Sequence, residues 1–364
     1  MRLLYVTDAF AVWGGMERVL ADKMNYLSER YGYDVVLMTV NQGDHTVPFS
    51  LNPRINHIDL GVRLHQQYEY RGVKRFLIHR QLVTQLKDKM RNALQQIDAN
   101  VIICAKLDFV GVLDEVRGST PLIVESHTLC RADNYEKSGL LRRIHTWEYK
   151  RQVKKTDVVV ALTAGDAKDW REYNRNVCVI PNVVHINQTD NYSDCTEKRI
   201  VFVGRFSKQK DFDSLLKIWS KVYSRHSDWI LDIYTDGEIH TPGVRVFKPI
   251  ANIMEKYCNS SILLLTSLFE PFGLVLPEAM SCGLPVVSFD CPYGPADIIT
   301  DGVDGFLIKN RDVNEFANRV CQLIEDRELR VRIGQAAVKS AQHYRADLIM
   351  PKWKELFERL CQKE

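Results

Sequence analysis

Two carboxylates, Glu270 and Glu278, stand eight positions apart on either side of Pro271-Phe272-Gly273-Leu274-Val275. An apolar run, Ile262–Leu265, precedes them, and Pro277 falls where a helix should begin. Proline is tolerated in a first helical turn because that N–H has no intrahelical partner. Gly273 lets a ligand approach the backbone, and the free N–H groups beyond it attract an anion. The pattern is therefore an anion site flanked by two carboxylates. An acidic first turn that complements the helix dipole is the alternative for Glu278 taken alone.

A second cluster, Gly204-Arg205-Phe-Ser-Lys208-Gln-Lys210-Asp211, follows the apolar run Ile200–Val203. Arginine as a fork and lysine as a point charge can clamp a diphosphate and take up charge on a leaving phosphate. An ordinary solvated basic loop has the same composition. Asp211-Phe-Asp213 imitates a metal-binding DxD but reads better as the cap of the helix carrying Leu215, Leu216 and Ile218. Trp13-Gly14-Gly15 follows the first strand and, taken alone, reads as a tight strand-to-helix turn. Neither GxGxxG nor GxxxxGK[ST] is present. Leu122-Ile-Val-Glu125-Ser126-His127-Thr128 puts a histidine at a strand end, where structural and active-site roles both remain open.

Positioning these loops requires strands that end just before them. Leu3–Val6, Val35–Val40, Val101–Cys104, Leu122–Val124, Val158–Leu162 and Val177–Ile180 are apolar runs of strand length. So are Ile200–Val203, Ile230–Tyr234, Ile262–Leu265, Val286–Phe289 and Gly305–Ile308. Helical spacing lies between them, as in Phe76, Val83, Leu86, Met90 and Leu94. This alternation predicts two α/β domains with doubly wound parallel sheets facing a cleft, at 1–180 and 199–345. A polar linker at 181–198 joins them, and a C-terminal helix at 346–364 packs back toward the first. The 364 residues suit two such domains, and a net charge of +3 does not argue for nucleic acid. Nine scattered cysteines, none spaced CxxC, fit neither a disulfide framework nor a zinc site and suit a reducing compartment. No basic n-region or membrane-length apolar run is evident, so a cytoplasmic protein, at most peripheral on a membrane, is expected.

The Glu270–Glu278 segment resembles the E-x7-E motif of the family-4 retaining glycosyltransferases, and Gly204-Arg205 with Lys210 resembles their G-R-x-x-x-x-K element. The resemblance implies a GT-B fold and transfer of a hexose or N-acetylhexosamine from a nucleotide-diphosphate sugar, most naturally a UDP-sugar. It implies that Glu270 meets sugar hydroxyls, that the backbone from Phe272 through Gly273, Leu274 and Val275 meets sugar or diphosphate, and that Glu278 holds the ribose diol. Arg205 and Lys210 become the diphosphate clamp, Gly14 and Gly15 approach donor and acceptor, and His127 becomes the active-site histidine, although Thr128 departs from the usual Asn or Asp. Phe247-Lys248-Pro249-Ile250 falls where relatives meet the nucleobase, and Cys291-Pro-Tyr-Gly294 resembles a stretch of the surface-polysaccharide branch. No metal or other cofactor is implied. The implied acceptor is a glycan or a polyprenyl-diphosphate-linked glycan. A sugar-nucleotide epimerase and a non-catalytic nucleotide-sugar binder remain alternatives. Two basic stretches read either as ordinary solvated helix faces or as a contact with an anionic membrane surface, and the resemblance favours the membrane as a partner. One carries Arg71, Lys74, Arg75, Arg80, Lys87, Lys89 and Arg91; the other carries Arg142, Arg143, Lys150, Arg151, Lys154 and Lys155, with Leu140, Ile144 and Trp147 at helical spacing.

Overall fold

Segments apolar at every position, such as Val-Ile-Ile-Cys at 101–104 and Ile-Leu-Leu-Leu at 262–265, belong to strands covered on both faces. The computed structural model, which describes residues 1–131, 147–148, 150–187, 191–250 and 252–362, contains two sheets of such strands. By internal packing the chain divides into two units. The first comprises Met1–Leu162, Asp166–Val183 and Ile349–Glu364, and the second comprises Thr163–Gly165 and Val184–Leu348.

In the first unit the described elements begin with β1 (Arg2–Thr7), α1 (Gly15–Tyr31), β2 (Asp34–Thr39), β3 (Asn56–Asp59) and α2 (Gly72–Ile97). Then come β4 (Val101–Cys104), α3 (Val110–Val116), β5 (Leu122–Glu125), β6 (Val158–Ala161), α4 (Ala164–Trp170) and β7 (Val177–Val179). The sheet order is β3-β2-β1-β4-β5-β6-β7, and every described pairing is parallel. The second unit carries β8 (Arg199–Val203), α5 (Phe212–Tyr223), β9 (Ile230–Tyr234), β10 (Val244–Phe247), α6 (Met254–Cys258) and β11 (Ile262–Leu265). It continues through α7 (Val275–Ser281), β12 (Val286–Phe289), α8 (Gly294–Ile298), β13 (Gly305–Ile308), α9 (Val313–Glu325) and α10 (Arg327–Ala341). Its sheet runs β10-β9-β8-β11-β12-β13, again all parallel. Helix α11 (Ala346–Cys361) ends the description. Chain direction across each sheet reverses at one place, between β1 and β4 and between β8 and β11. These are the topological switch points where open α/β sheets take ligands.

Strands β3 and β10 carry no unbroken apolar run; both lie at sheet edges and are only partly buried, whereas the opposite edges β7 and β13 remain apolar. The helical stripe in α2 also differs from expectation. Leu82, Leu86, Met90 and Ile97 are buried, whereas Phe76 is 59% exposed, so the first turns of α2 extend beyond the core that holds the rest. The polar stretch at 181–198 is fastened to the second unit at several points. Val184 N–H donates to the Tyr344 carbonyl at 3.0 Å, Ser193 N–H donates to the Cys282 carbonyl at 2.8 Å, and Cys195 is buried.

Glycine at 334, within α10, lets that helix press against the turn that closes α7. A Cβ there would stand 2.1 Å from the Gly283 carbonyl oxygen. In an unobstructed helix interior, Gly→Ala stabilises by roughly 0.5–1 kcal/mol. Here the overlap should reverse that sign, and Gly334→Ala is expected to destabilise by about 1–3 kcal/mol. Urea unfolding checks this: a lowered midpoint at unchanged slope is expected, and a raised midpoint would mean the turn moves aside freely.

Candidate active site

Two loops of the second unit converge at its switch point. Past β8, the chain passes Gly204 and the exposed Arg205, and the stem of Lys210 folds back over the glycine: a Cβ on Gly204 would lie 3.2 Å from three carbons of that stem. Past β11, Glu270 is buried and accepts hydrogen bonds from Lys210 Nζ and, at 2.6 Å, from Ser267 Oγ. Lysine and carboxylate are thus brought together from loops sixty residues apart. The backbone of the two loops is joined as well. Leu268 N–H donates to the Gln209 carbonyl at 2.7 Å, Gln209 Nε2 donates to the Phe269 carbonyl at 2.9 Å, and Thr266 Oγ1 donates to the Lys210 carbonyl at 2.8 Å.

The Glu270 loop is held from its other side by the stretch after β12. Glu270 N–H donates to the Pro292 carbonyl at 2.7 Å, while the N–H groups of Tyr293 and Gly294 both donate to the Glu270 carbonyl at 2.9 Å. A side chain at 294 would strike the Phe272 carbonyl oxygen, only 1.8 Å from a Cβ, so only glycine permits this contact. Gly273 has φ of +91°, a conformation that favours glycine and turns the chain into α7. Leu274 and Val275 open the helix, and Glu278 is buried in its first turn.

Asp211 caps α5, its carboxylate accepting from Ser214 N–H at 3.2 Å, as the helix-cap reading of Asp211-Phe-Asp213 expects. Arg311, past β13, donates to Asp211 and to the carbonyls of Ser267 and Thr266 at 2.8 and 3.0 Å. Arg311 and Ser267 shape the site from outside both motifs, and Gln209 does so from a variable position of the second. The signal for Arg311 was its place just beyond a strand, the same criterion that singles out Arg205. Lys248 and Ile250 do not join this cluster. Both are exposed and line a separate cavity of about 460 Å³ along β8, β9 and β10, with Arg199, Asp232, Tyr234, Arg245, Phe247 and Lys256. Cys291 is buried beside this region, and burial, followed by the nearby Glu270 charge, pushes its thiol up to about 12.

In the first unit Gly14 caps α1 with extended backbone, and Gly15 is the first helical residue, both beyond β1. The loop leading there is tied down at Phe10, whose N–H donates to Gln42 Oε1 at 2.7 Å and whose carbonyl accepts from Gln42 Nε2 at 3.1 Å. His127 lies past β5, its side chain 5% exposed, with Nε2 3.3 Å from Glu125 Oε1. The loop it sits on is pinned by Asp166. That carboxylate accepts from Cys130 N–H at 2.8 Å and Trp170 Nε1 at 2.9 Å, and burial pushes it up to about 6. Glu125 is bonded to Lys23, and both side chains are 2% exposed. Burial alone would raise the Glu125 carboxyl, but the Lys23 ammonium, then His127, hold it well below the usual range.

Among the described residues no group of three or more His, Cys, Asp or Glu side chains is arranged to hold a metal. A sequence model of Glycosyltransferase Family 4 matches residues 13–188, and one of Glycosyl transferases group 1 matches residues 197–326. The chain belongs to glycosyltransferase family 4. It is similar to the amylovoran biosynthesis glycosyltransferase AmsD of Erwinia amylovora, 27% identical over 98% of this chain and 99% of that one. It is also similar to the poly(ribitol-phosphate) alpha-N-acetylglucosaminyltransferase of Staphylococcus aureus, 25% identical over 62% of this chain and 48% of that protein. Among solved structures, the pneumococcal O-GlcNAc transferase GtfA in complex with UDP and GlcNAc superposes with a TM-score of 0.76 at 14% identity, over 100% of this chain and 99% of that one. The fold of this family-4 enzyme is GT-B, and its activity is glycosyl transfer.

The Lys210–Glu270 pair makes a measurable statement about this site. Removing one partner of a buried pair strands the other, typically at about 3–5 kcal/mol, whereas replacing both with apolar or neutral groups costs far less. Lys210→Met is therefore expected to lower stability clearly, and Lys210→Met/Glu270→Gln to recover most of the loss. Urea titration of the wild type, both single variants and the double variant gives the coupling; additive single effects would show that solvent screens the pair.

Proposed function

We propose that this glycosyltransferase moves a hexose or N-acetylhexosamine from a UDP-sugar to a glycan or polyprenyl-diphosphate-linked acceptor, retaining anomeric configuration, in surface polysaccharide assembly. The observation that carries this is the meeting of Lys210 with Glu270 at the switch point of the second sheet, beside Arg205 and the opening of α7. It supports a reading in which Arg205 and Lys210 serve as cations for a diphosphate and Glu270 as the carboxylate for sugar hydroxyls. The activities of the relatives support the class: an amylovoran biosynthesis glycosyltransferase and a poly(ribitol-phosphate) alpha-N-acetylglucosaminyltransferase.

In this reading the bond from the anomeric carbon to the diphosphate oxygen breaks while the acceptor oxygen bonds to the same face. The acceptor proton passes to the departing diphosphate, so no separate general base is needed. Arg205 and Lys210 take up the negative charge of the leaving group, Glu270 orients the sugar, and Glu278 holds the ribose diol. His127 meets the donor sugar's primary hydroxyl. These cations do the work that a divalent metal does in other transferases.

A panel of nucleotide sugars screened for thermal stabilisation identifies the donor. Turnover with and without acceptor then separates transfer from epimerisation, which needs no acceptor, and from inert binding. Arg205→Ala is expected to lower kcat on the order of 100-fold. Glu278→Ala should mainly weaken UDP binding, and activity should survive EDTA. Unchanged turnover in Arg205→Ala, or activity lost to chelator and restored by manganese, would remove the cation role assigned here.

A peripheral site on an anionic membrane is a second element of the proposal. No described helix is long and apolar enough to cross a membrane. On α2, Val73, Phe76 and Leu77 are exposed at helical spacing, with Arg71, Lys74, Arg75 and Arg80 around them. Lys87, Lys89 and Arg91 are instead engaged with Glu115, the Leu60 carbonyl and Asp88. In the second basic stretch, Trp147 is exposed but Lys150 is buried; Leu140, Arg142, Arg143 and Ile144 lie outside the described residues. Apolar side chains ringed by cations suit an anionic leaflet, to which each surface Lys or Arg contributes about 1 kcal/mol. Sedimentation with anionic and neutral liposomes at low and high salt checks this. Salt-sensitive binding to anionic vesicles, weakened by Phe76→Ser/Leu77→Ser, is expected; equal weak binding to both would exclude the membrane role while leaving transfer intact.

A further inference from the structure

The first unit buries an ion pair where a covered parallel sheet would ordinarily place apolar side chains. Lys23, in the middle of α1, reaches the end of β5 and donates to Glu125 Oε2. Its ammonium lies 3.9 Å from the ring centre of Trp353 on α11 and 5.2 Å from that of Tyr5 on β1. The aromatic faces attract the cation electrostatically and close it off from water. The pair costs desolvation on both sides, and a well-packed apolar pair of the same volume is generally as stable or more so. Stability alone therefore gives no reason for charges here.

The remaining carboxylate oxygen supplies one. Glu125 Oε2 is occupied by Lys23, while Oε1 faces His127 Nε2 at 3.3 Å. That nitrogen is buried, and at this orientation it has no aligned hydrogen-bond partner. The 3.3 Å separation is within hydrogen-bond reach, so turning the ring until Nε2–H points at Oε1 would complete the bond without moving the backbone. Lys23 is the counter-charge that keeps the carboxylate ionised and fixes its direction.

We infer that Lys23 and Glu125 are positioning residues for His127, a buried ammonium–carboxylate pair that holds the imidazole by Nε2–H and leaves Nδ1 as the ring nitrogen for substrate. This rests on the assignment of His127 to the active site. A carboxylate that accepts from one ring nitrogen sets both tautomer and orientation, because the proton must then reside on the nitrogen facing it. Lys23 acts through Glu125, and Trp353 acts through Lys23, so the C-terminal helix contributes to an imidazole that it need not touch.

The test combines activity, binding and tautomer. Glu125→Gln keeps the shape and removes the charge. It and Lys23→Met are each expected to lower kcat about 10-fold or more, in line with losses on removing the partners of functional histidines. UDP affinity, which depends on the second unit, should change less than about twofold, well inside the tenfold that 1.4 kcal/mol represents. Should a single variant fail to fold, the apolar double variant Lys23→Met/Glu125→Leu keeps the test open. It is expected to melt at or near the wild-type temperature while remaining impaired in kcat. In the wild type, ¹⁵N-histidine spectra, assigned with His127→Gln, should show the His127 proton on Nε2. Wild-type turnover in the double variant, or a proton on Nδ1, would overturn the inference. If His127→Ala itself turns over normally, the active-site assignment fails instead. A strong loss in His127→Ala with none in folded Glu125→Gln rejects only the positioning role.

Discussion

A parallel sheet walled by helices on both faces keeps water from most of its length, so polar side chains gather chiefly where strands end. At a switch point the flanking connections run away to opposite faces, and the backbone there is left open. Arg205, Lys210 and Glu270 stand beyond β8 and β11, the two strands that border the reversal in the second sheet. Gly14 stands beyond β1, at the reversal in the first sheet, and His127 beyond β5, one strand further along. Function in each unit is confined by that exclusion before any residue is chosen.

Within the second unit the charges form a chain of mutual restraint. Arg311 grips Asp211 and the turn at Thr266–Ser267; that turn presents Ser267 to Glu270; Glu270 holds Lys210, whose stem lies on Gly204. Each group is oriented by something other than a ligand, which limits the freedom lost when a ligand binds. Under the proposed function, a phosphate entering beside Lys210 would compete with Glu270 for the ammonium and free the carboxylate to accept from hydroxyls. Binding of the charged and of the uncharged part of a sugar nucleotide are thereby linked through one hydrogen bond.

Much of this was legible in the sequence, for definable reasons. Strands buried on both faces announce themselves as unbroken apolar runs, and β4, β9, β11, β12 and β13 begin and end where those runs do. The Glu270–Glu278 and Gly204–Lys210 segments stood out because glycine and charge just past a strand have few structural uses. Strands β3 and β10 were illegible because polar residues interrupt their apolar ones, as partly exposed edge positions allow. Phe76 looked like core because spacing reports which residues share a helix face, not whether that face is covered. Lys23 and Glu125 gave no signal at all: a lysine within a helix and a glutamate at a strand end look solvated until the helix is laid on the sheet. Lys248 and Ile250 rested on placement alone, and both line a cavity along β8, β9 and β10.

The path of the chain gives the two units unequal standing. Ile349–Glu364 belongs to the same body as Met1–Leu162, so both ends of the described chain lie in the first unit and the second is, in connectivity, a long insertion within it. A single cut after residue 183 would therefore not yield a complete first unit. It would remove Trp353 from above Lys23 and uncover the sheet face that α11 helps to close. During synthesis, the first unit must wait for the whole of the second to be made before its last helix exists. The histidine loop it supports is thus finished only when the second unit has already been translated, an order of assembly written into the chain by where one helix packs.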